Sequence, residues 1–468
     1  MVFSSLLFLF VYLPAVLAIY FLLPVAWRNG FLFFASLIFY AWGEPLYVFL
    51  MLFTISFGWL TGIGLERWGK DRIKAKAVLV MSVIINMGIL GFFKYGNFVV
   101  ENLNLLTGWR INSLDLPLPL GISFYTFQTM SYTIDLYRGH APFQPNILDF
   151  GAYVSMFPQL IAGPIVRYNT IARQLTSRRE NLKDFGSGAG IFTIGLAKKV
   201  LLANTIGLFW DAVKTMPSDT LTVLAAWSGI TAFGLQLYFD FSGYSDMAIG
   251  MGKMLGFDFE RNFLYPYCSR SITEFWRRWH ISLSTWFREY VYIPLGGSRQ
   301  GNGRTVLNLL IVWAATGLWH GANWNFLLWG LYYFLFLLGE RFIWSGLLEK
   351  AQGILRHAYV LVLVMSGWAL FVFDDMGSLG MFIRAMAGQA GGGLVNDRIL
   401  YLLSSWAFVL LFAALGTTPI AASALARVEK SWPKAAALAK PVLVLAGLLL
   451  SVAYLVDSSY NPFLYFRF

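Results

Sequence analysis

The chain has little of what a soluble or secreted protein relies on. Of its 468 residues, one is cysteine, Cys268, and four are histidine. A single cysteine excludes an intrachain disulfide and any cysteine-rich metal centre, so no metal is expected. Charge is scarce as well: Asp, Glu, Lys and Arg make up 13% of the chain, where a soluble domain averages about 25%. The sequence also shows no internal repeat and no low-complexity linker beyond the short connector GQAGGGL (Gly388–Leu394). A transporter built from two symmetric halves is therefore disfavoured, and one domain over residues 1–468 is expected.

What fills the chain is apolar. It is 58% hydrophobic, with 42 Phe, 23 Tyr and 18 Trp, and its mean hydropathy is +0.62. Crossing a bilayer takes about 20 apolar residues. Windows approaching that length include Val2–Leu23, Ala77–Val99, Leu221–Phe239, Asn323–Leu338, Tyr359–Phe373, Leu400–Leu415 and Val442–Leu455. The fold class predicted is all-α, a polytopic helical membrane protein with the lipid bilayer as its first partner. The opening window has neither a basic leader nor a small-residue cleavage site, and is expected to remain as a span.

The charges that exist are clustered. Glu66–Lys76 and Arg167–Lys183 each hold five Lys/Arg, Arg261–Arg304 holds seven arginines, and Arg427, Lys430, Lys434 and Lys440 form a fourth group. In a chain this apolar, the net charge of +11 and pI near 9.5 reflect basic cytoplasmic loops, not a nucleic-acid partner. All four clusters, with Arg28, are expected on the cytoplasmic side and Met1 outside. Between Leu116 and Pro164, prolines and glycines interrupt the pattern. Such irregular backbone is tolerated at membrane depth only where protein buries it or water fills a cavity.

Two segments hold the candidate chemistry. In SITEFWRRWHISLSTWFREYVYIPLGGSR (Ser271–Arg299), Ser271 and Glu274 form a capping-box pattern that predicts a helix start. The mixture of Phe275, Trp276, Trp279, Trp286 and Phe287 with Arg277, Arg278, Arg288 and Glu289 is too charged to span. It predicts a helix at the cytoplasmic interface with rings at headgroup level, and with His280 on it. Either it is a membrane-surface anchor, or its arginines read the phosphates of an anionic donor. In ATGLWHGANWN (Ala315–Asn325), His320 lies sixteen residues past Arg304, about 24 Å at 1.5 Å per residue. That depth is inside the hydrocarbon core, at a helix break expected over Gly317–Asn325. One reading is a packed histidine bonded to a carbonyl. An ionisable ring beside broken helix within a bilayer is by default a functional candidate. Asp240 and Asp246 end an apolar run, where they mark a helix terminus or pair with arginines of the interface segment. Tyr238 and Tyr244 are expected in an aromatic belt. Cys268, Ser282 and Ser284 are conceivable nucleophiles, with no base placed beside them by spacing. His140 and His357 are assigned no role.

These strings, with LPLGISFYTFQ (Leu118–Gln128), FPQLIAGPIVR (Phe157–Arg167), LQLYFDFSGYSDMAIG (Leu235–Gly250) and the terminal FLYFRF, resemble the membrane-bound O-acyltransferases end to end, and among them the membrane proteins of bacterial alginate O-acetylation. The resemblance implies about 10–13 membrane helices, with re-entrant and interfacial helices, around a central acyl-transfer cavity. It implies that His320 and His280 are catalytic; beside it, the residue pattern offers Arg277, Arg278, Trp276 and Asn323 as candidate donor-binding residues. Asn204 stands where relatives often have Asp, and FVFDD (Phe371–Asp375) replaces a more basic string.

The implied activity is acetyl transfer from a cytoplasmic donor, acetyl-CoA or an acyl carrier, with no permanently bound cofactor. The implied setting is the bacterial inner membrane, with a periplasmic acetyltransferase as partner and an exopolysaccharide, alginate foremost, as final acceptor. An imidazole suits the step, because it can take the hydroxyl proton and return it to the leaving thiolate. Related chemistries on cellulose, peptidoglycan or teichoic acid stay open, and outside the enzymes so do a lipid-linked sugar transporter and an export-complex scaffold.

Overall fold

A computed structural model describes residues 1–114, 116–161, 163–457 and Leu464. Of the terminal FLYFRF string, only Leu464 falls within the described residues. The regular structure of those residues is all helical, with no strand among them. Six helical segments are long and apolar enough to cross a membrane: Tyr47–Trp68, Arg72–Thr107, Leu182–Lys214, Gly353–Val372, Asp397–Gly416 and Pro433–Asp457. Phe8–Leu22 and Val25–Ala41 are shorter apolar helices. By internal packing the chain divides into two compact units, Met1–Phe192 with Ser245–Arg261, and Thr193–Tyr244 with Asn262–Phe468.

The first unit contains α1 (Leu13–Leu22), α2 (Val25–Ala41), α3 (Tyr47–Trp68), α4 (Arg72–Thr107), α5 (Ile122–Tyr137), α6 (Ile147–Ser155), α7 (Phe157–Leu160) and α8 (Tyr168–Ser177). The interrupted stretch expected around residues 116–164 becomes α5 to α7. Nearly every residue of these helices is buried, so the protein itself shields their broken backbone. Gly121 starts α5 at φ +72°, and a Cβ there would sit 2.5 Å from the Leu160 carbonyl oxygen. Only glycine meets both demands. A polar knot lies nearby in sequence: the Arg178 guanidinium donates to Tyr20 Oη and Asn29 Oδ1, and Glu180 pairs with Arg28 at 2.9 Å.

The second unit takes in only the last turn of α9 (Leu182–Ala197), then α10 (Asn204–Lys214) and α11 (Val223–Met254) as far as Tyr244. It continues through α12 (Ile272–Arg278), α13 (Ile281–Phe287), α14 (Asn302–His320), α15 (Trp324–Phe342), α16 (Ser345–Lys350), α17 (Gly353–Val372), α18 (Met376–Met386), α19 (Asp397–Gly416), α20 (Ile420–Ser431) and α21 (Pro433–Asp457). Only 11% of the apolar window in each of α19 and α21 is buried. Phe408 and Phe412 of α19 and Leu443 of α21 stand outward. In water such faces would drive aggregation; in a membrane protein they meet lipid.

The hairpin of α14 and α15 positions the site. Its close approach rests on two glycines. A Cβ on Gly317 would lie 2.3 Å from the Phe326 carbonyl oxygen, and one on Gly330 would lie 2.3 Å from that of Trp313. This corrects the expected break at Gly317, which stays helical and is small so that two backbones can touch. The actual break is at residues 321–323: Gly321 is extended, and the Asn323 side chain caps α15 by accepting from the Trp324 N–H. Gly321 is needed for room, since a Cβ there would strike the Phe326 ring.

Candidate active site

The capping box reads as expected at one end and shifts at the other. Ser271 Oγ accepts from the Glu274 N–H at 3.0 Å, while the Glu274 carboxylate reaches back to the Arg270 N–H, one residue earlier than usual. A second carboxylate completes this helix start. Glu340, 7% exposed on α15, accepts from the N–H groups of Ile272 and Thr273 and from Thr273 Oγ1. An anion on the otherwise unmatched amides of a helix N-terminus is favoured by hydrogen bonding and by the helix dipole. Glu340 thereby ties α12 to α15.

The expected interface helix is not one helix, and its rings face protein. α12 ends at Arg278, His280 takes a left-handed conformation at φ +46°, and α13 starts anew. The cause is Asn262. Its carbonyl oxygen accepts from the Ile281 N–H, and its Oδ1 accepts from the Ser282 N–H and Oγ. These bonds hold the chain in a kink, so His280 lies between helices and not on one. Phe275, Trp276, Trp279, Trp286 and Phe287 are all buried in protein. The segment is a wall of the core.

Asn262 also fixes the His280 ring. Because Oδ1 receives the Ser282 N–H, it is the oxygen that faces His280 Nδ1, 3.2 Å away. An oxygen can only accept, so Nδ1 carries the proton and Nε2 carries the lone pair. Burial pushes this ring down to about 3, which keeps it neutral.

His320 closes α14, with its side chain almost buried at 6% exposure. Its ring packs edge to face against Trp319, Trp329 and Phe371, with centroids 5.0, 5.0 and 5.3 Å away. It lines a small cavity whose other walls are Leu237 and Phe241 of α11, Trp279, Trp329 of α15, and Trp368 and Phe371 of α17. His320 is the single ionisable side chain among the described residues of that wall.

The structure brings the two histidines onto one neighbour. Trp319 contacts the His280 ring at 5.9 Å and the His320 ring at 5.0 Å. His280 stands one ring behind the cavity, with Phe241 between at 4.7 Å. Trp276 packs on Trp313, Trp329 and Tyr333. Arg277 is exposed, and Arg278 is half-buried in a 2.5 Å pair with Glu274. The amide of Asn323 caps α15 and donates to the Asp374 carbonyl, while Asn325 donates to that of Phe371. Both asparagines thus hold backbone around the break.

Asp240 and Asp246 mark no helix end, because α11 continues to Met254. Asp240 pairs with Lys199 at 2.6 Å, both 2% exposed, and not with an arginine of the Ser271–Arg299 segment. Lys199 also donates to Asn204 Oδ1, and the Leu464 N–H donates to Asp240 Oδ2. Tyr238 and Tyr244 are buried and form no belt. Cys268 is held to the Thr417 carbonyl and burial pushes its thiol up, away from a reactive thiolate.

Sequence reasoning passed over Asn262, Glu340, Lys199 and Trp329. Glu340 and Lys199 had a usable signal, since each stands in a charged pair, with Arg341 and Lys198, set against long apolar sequence. Asn262 and Trp329 had none, because their roles depend on contacts from distant segments.

An all-helical membrane protein with a buried imidazole on an aromatic cavity is the setting of an acyltransferase. Residues 138–352 match the membrane-bound O-acyltransferase family. Over the whole of both chains the protein is 38% identical to a probable alginate O-acetylase of Pseudomonas putida. It is 32% identical to a peptidoglycan O-acetyltransferase of Helicobacter pylori, over all of this chain and 98% of that one. A teichoic acid D-alanyltransferase of Bacillus subtilis is 28% identical over 46% of this chain and 56% of its own. The chain belongs to the membrane-bound O-acyltransferase family.

Proposed function

We propose that this acyltransferase moves an acetyl group from a cytoplasmic thioester, acetyl-CoA or an acyl carrier, across the bacterial inner membrane for O-acetylation of an exopolysaccharide, alginate foremost. His320 is the general base, and a periplasmic acetyltransferase receives the group for delivery to the polymer. The basic segment Arg261–Arg304 faces the cytoplasm, on the donor's side. One observation carries this reading: among the described residues the cavity is walled by aromatic and aliphatic side chains and by His320, which is the one that can move a proton there. The full-length similarity to a probable alginate O-acetylase supports the acceptor class.

The chemistry follows from that placement. The acceptor hydroxyl gives its proton to the imidazole as its oxygen adds to the thioester carbon. The imidazolium then protonates the departing thiolate. The apolar walls keep bulk water from competing for the acyl group. The deciding experiment follows labelled acetyl-CoA in membranes containing the wild type, His320→Ala or His320→Gln at matched protein levels. Polymer acetylation is expected in the wild type alone. Substantial acetylation by His320→Gln would mean that hydrogen bonding suffices and that His320 is not the base.

A further inference from the structure

Several indole N–H groups in this protein find an acceptor: Trp368 donates to Tyr267 Oη, and the half-buried Trp344, Trp227 and Trp59 donate to Tyr359 Oη, the Met386 carbonyl and that of Gln144. Three donors packed in one buried cluster have no hydrogen-bond acceptor among the described residues: Nε1 of Trp276, Nε1 of Trp329 and Oη of Tyr333. Their rings are in mutual contact at 4.8 to 5.4 Å. An indole N–H can only donate, and leaving it buried and unmatched is costly. The cluster therefore offers donors to an acceptor that enters it. Trp329 is the member that both lines the cavity and packs against His320, and it is wholly buried.

We propose that the indole N–H of Trp329 is the oxyanion donor of the reaction, a catalytic hydrogen bond to the carbonyl oxygen of the acyl group. The assignment rests on the acyl-transfer reading of this cavity. As the acceptor hydroxyl oxygen bonds to the carbonyl carbon, its proton passes to His320 and the C=O π pair moves onto the carbonyl oxygen. Trp329 holds that oxygen while it is negative. The pair then returns to re-form C=O, the C–S bond breaks, and the imidazolium proton goes to the departing sulfur. A donor fixed in a water-poor wall stabilises this charge without having to reorganise. Trp276 and Tyr333 stand behind Trp329, off the cavity wall, and take no part in the step.

The test removes the N–H and keeps the ring. In the full-length protein, Trp329→3-benzothienylalanine replaces the N–H by sulfur at nearly constant shape, and Trp329→Phe is a second, genetically simple variant. Loss of one oxyanion donor lowers kcat by about 10²–10³-fold, and the KM for acetyl-CoA is expected to stay within about threefold. Acetyl-CoA labelled with ¹³C at the carbonyl, bound to the inert His320→Ala protein, should show its carbonyl infrared band shifted down. The shift should vanish when Trp329→3-benzothienylalanine is added. A drop in kcat with an unmoved band would show a shape effect and overturn the proposal. Full turnover by the analogue beside an inactive His320→Gln would overturn it while leaving the general base in place. Full turnover by both would overturn the acyl-transfer reading with it. If Trp329→Phe fails to accumulate, the isosteric analogue alone decides.

Discussion

The pair Trp–His occurs twice, as Trp279–His280 and Trp319–His320, and the protein uses the two copies differently. Each histidine lies at a helix end, and each packs against Trp319. His280 starts α13 in a left-handed conformation, with Nδ1 bonded to Asn262 and Phe241 standing between it and the cavity. His320 ends α14 in ordinary helical backbone and forms part of the cavity wall itself. The flanking dipeptide is the same, so it does not set the role. What differs is the backbone state of the residue and what space the ring borders. A side chain held in an uncommon backbone state by three bonds to one asparagine is built to stay put. A ring on the cavity wall is placed to meet a substrate.

The largest effect should separate the two sites. A general base contributes about 10²–10⁴-fold, so His320→Ala and His320→Gln should both lower acetyl transfer by that factor while the protein still inserts. The same changes at His280 should cost about tenfold at most, because a ring one layer behind the wall acts by positioning Phe241 and Trp319. Measuring kcat for all four variants in matched membranes tests the ranking, and equal losses at the two positions would erase the distinction.

A second change attacks the scaffold under His320 without touching its ring. Gly317→Ala adds a methyl group 2.3 Å from the Phe326 carbonyl oxygen. Both neighbours are backbone, so α14 and α15 must part. Overpacking of this kind costs about 1–3 kcal/mol, read as a lower Tm of the detergent-solubilised protein. Gly303→Ala on the same helix has nothing within 4 Å of the new carbon and should leave Tm unchanged. A Gly317→Ala protein as stable as the wild type would mean that the hairpin is looser than its geometry indicates.

The buried state of His280 has a pH signature. Its folded value, near 3, lies below the ordinary 6.5. Between those values the unfolded chain binds a proton that the folded ring refuses, so stability rises with pH across the window and falls on acidification. From pH 7 to pH 5 this one ring should remove about 2 kcal/mol. His280→Asn keeps a residue that tolerates the left-handed state and abolishes the titration. The difference between wild-type and variant Tm should therefore shift in the variant's favour at pH 5. An unchanged difference would show that His280 accepts a proton in the folded protein.

How much of this was legible beforehand depends on the range of the contacts involved. Helical membrane architecture follows from apolar runs, a local property, and so does the start of α12 at Ser271. The family resemblance marked His320 and His280 without their surroundings. Burial of the tryptophans of Ser271–Arg299 was misread because charge and aromatic content look the same on a membrane surface and on a core wall. The deciding contact is Glu340, 67 residues away from Thr273. The kink at His280 was hidden for the same reason, since its cause is Asn262, 18 residues upstream. Gly317 was read as a helix breaker from its intrinsic propensity. Tertiary packing reversed that, because the hairpin needs a residue without a side chain there.

The smallest effect concerns the pair Arg277 and Arg278, which the sequence treats alike and the structure does not. Arg278 is engaged with Glu274 at 2.5 Å, whereas Arg277 is exposed. An anionic donor arriving from the Arg261–Arg304 side should meet Arg277 first. Removing a surface charge contact changes binding by up to about 1 kcal/mol, and reversing it by somewhat more, so Arg277→Glu should raise the KM for acetyl-CoA about fivefold at low salt. Protein levels should not change. Because the group is solvated, the effect should fade between 0.05 and about 0.5 M salt as the screening length shortens. Arg278→Glu places like charges one helical turn apart and costs a few tenths of a kcal/mol of stability, with a smaller change in KM. Steady-state kinetics of both variants across that salt range tests the order. If Arg278→Glu has the larger, salt-independent effect on KM, the half-buried arginine is the donor contact and the exposed one is only part of the solvated face.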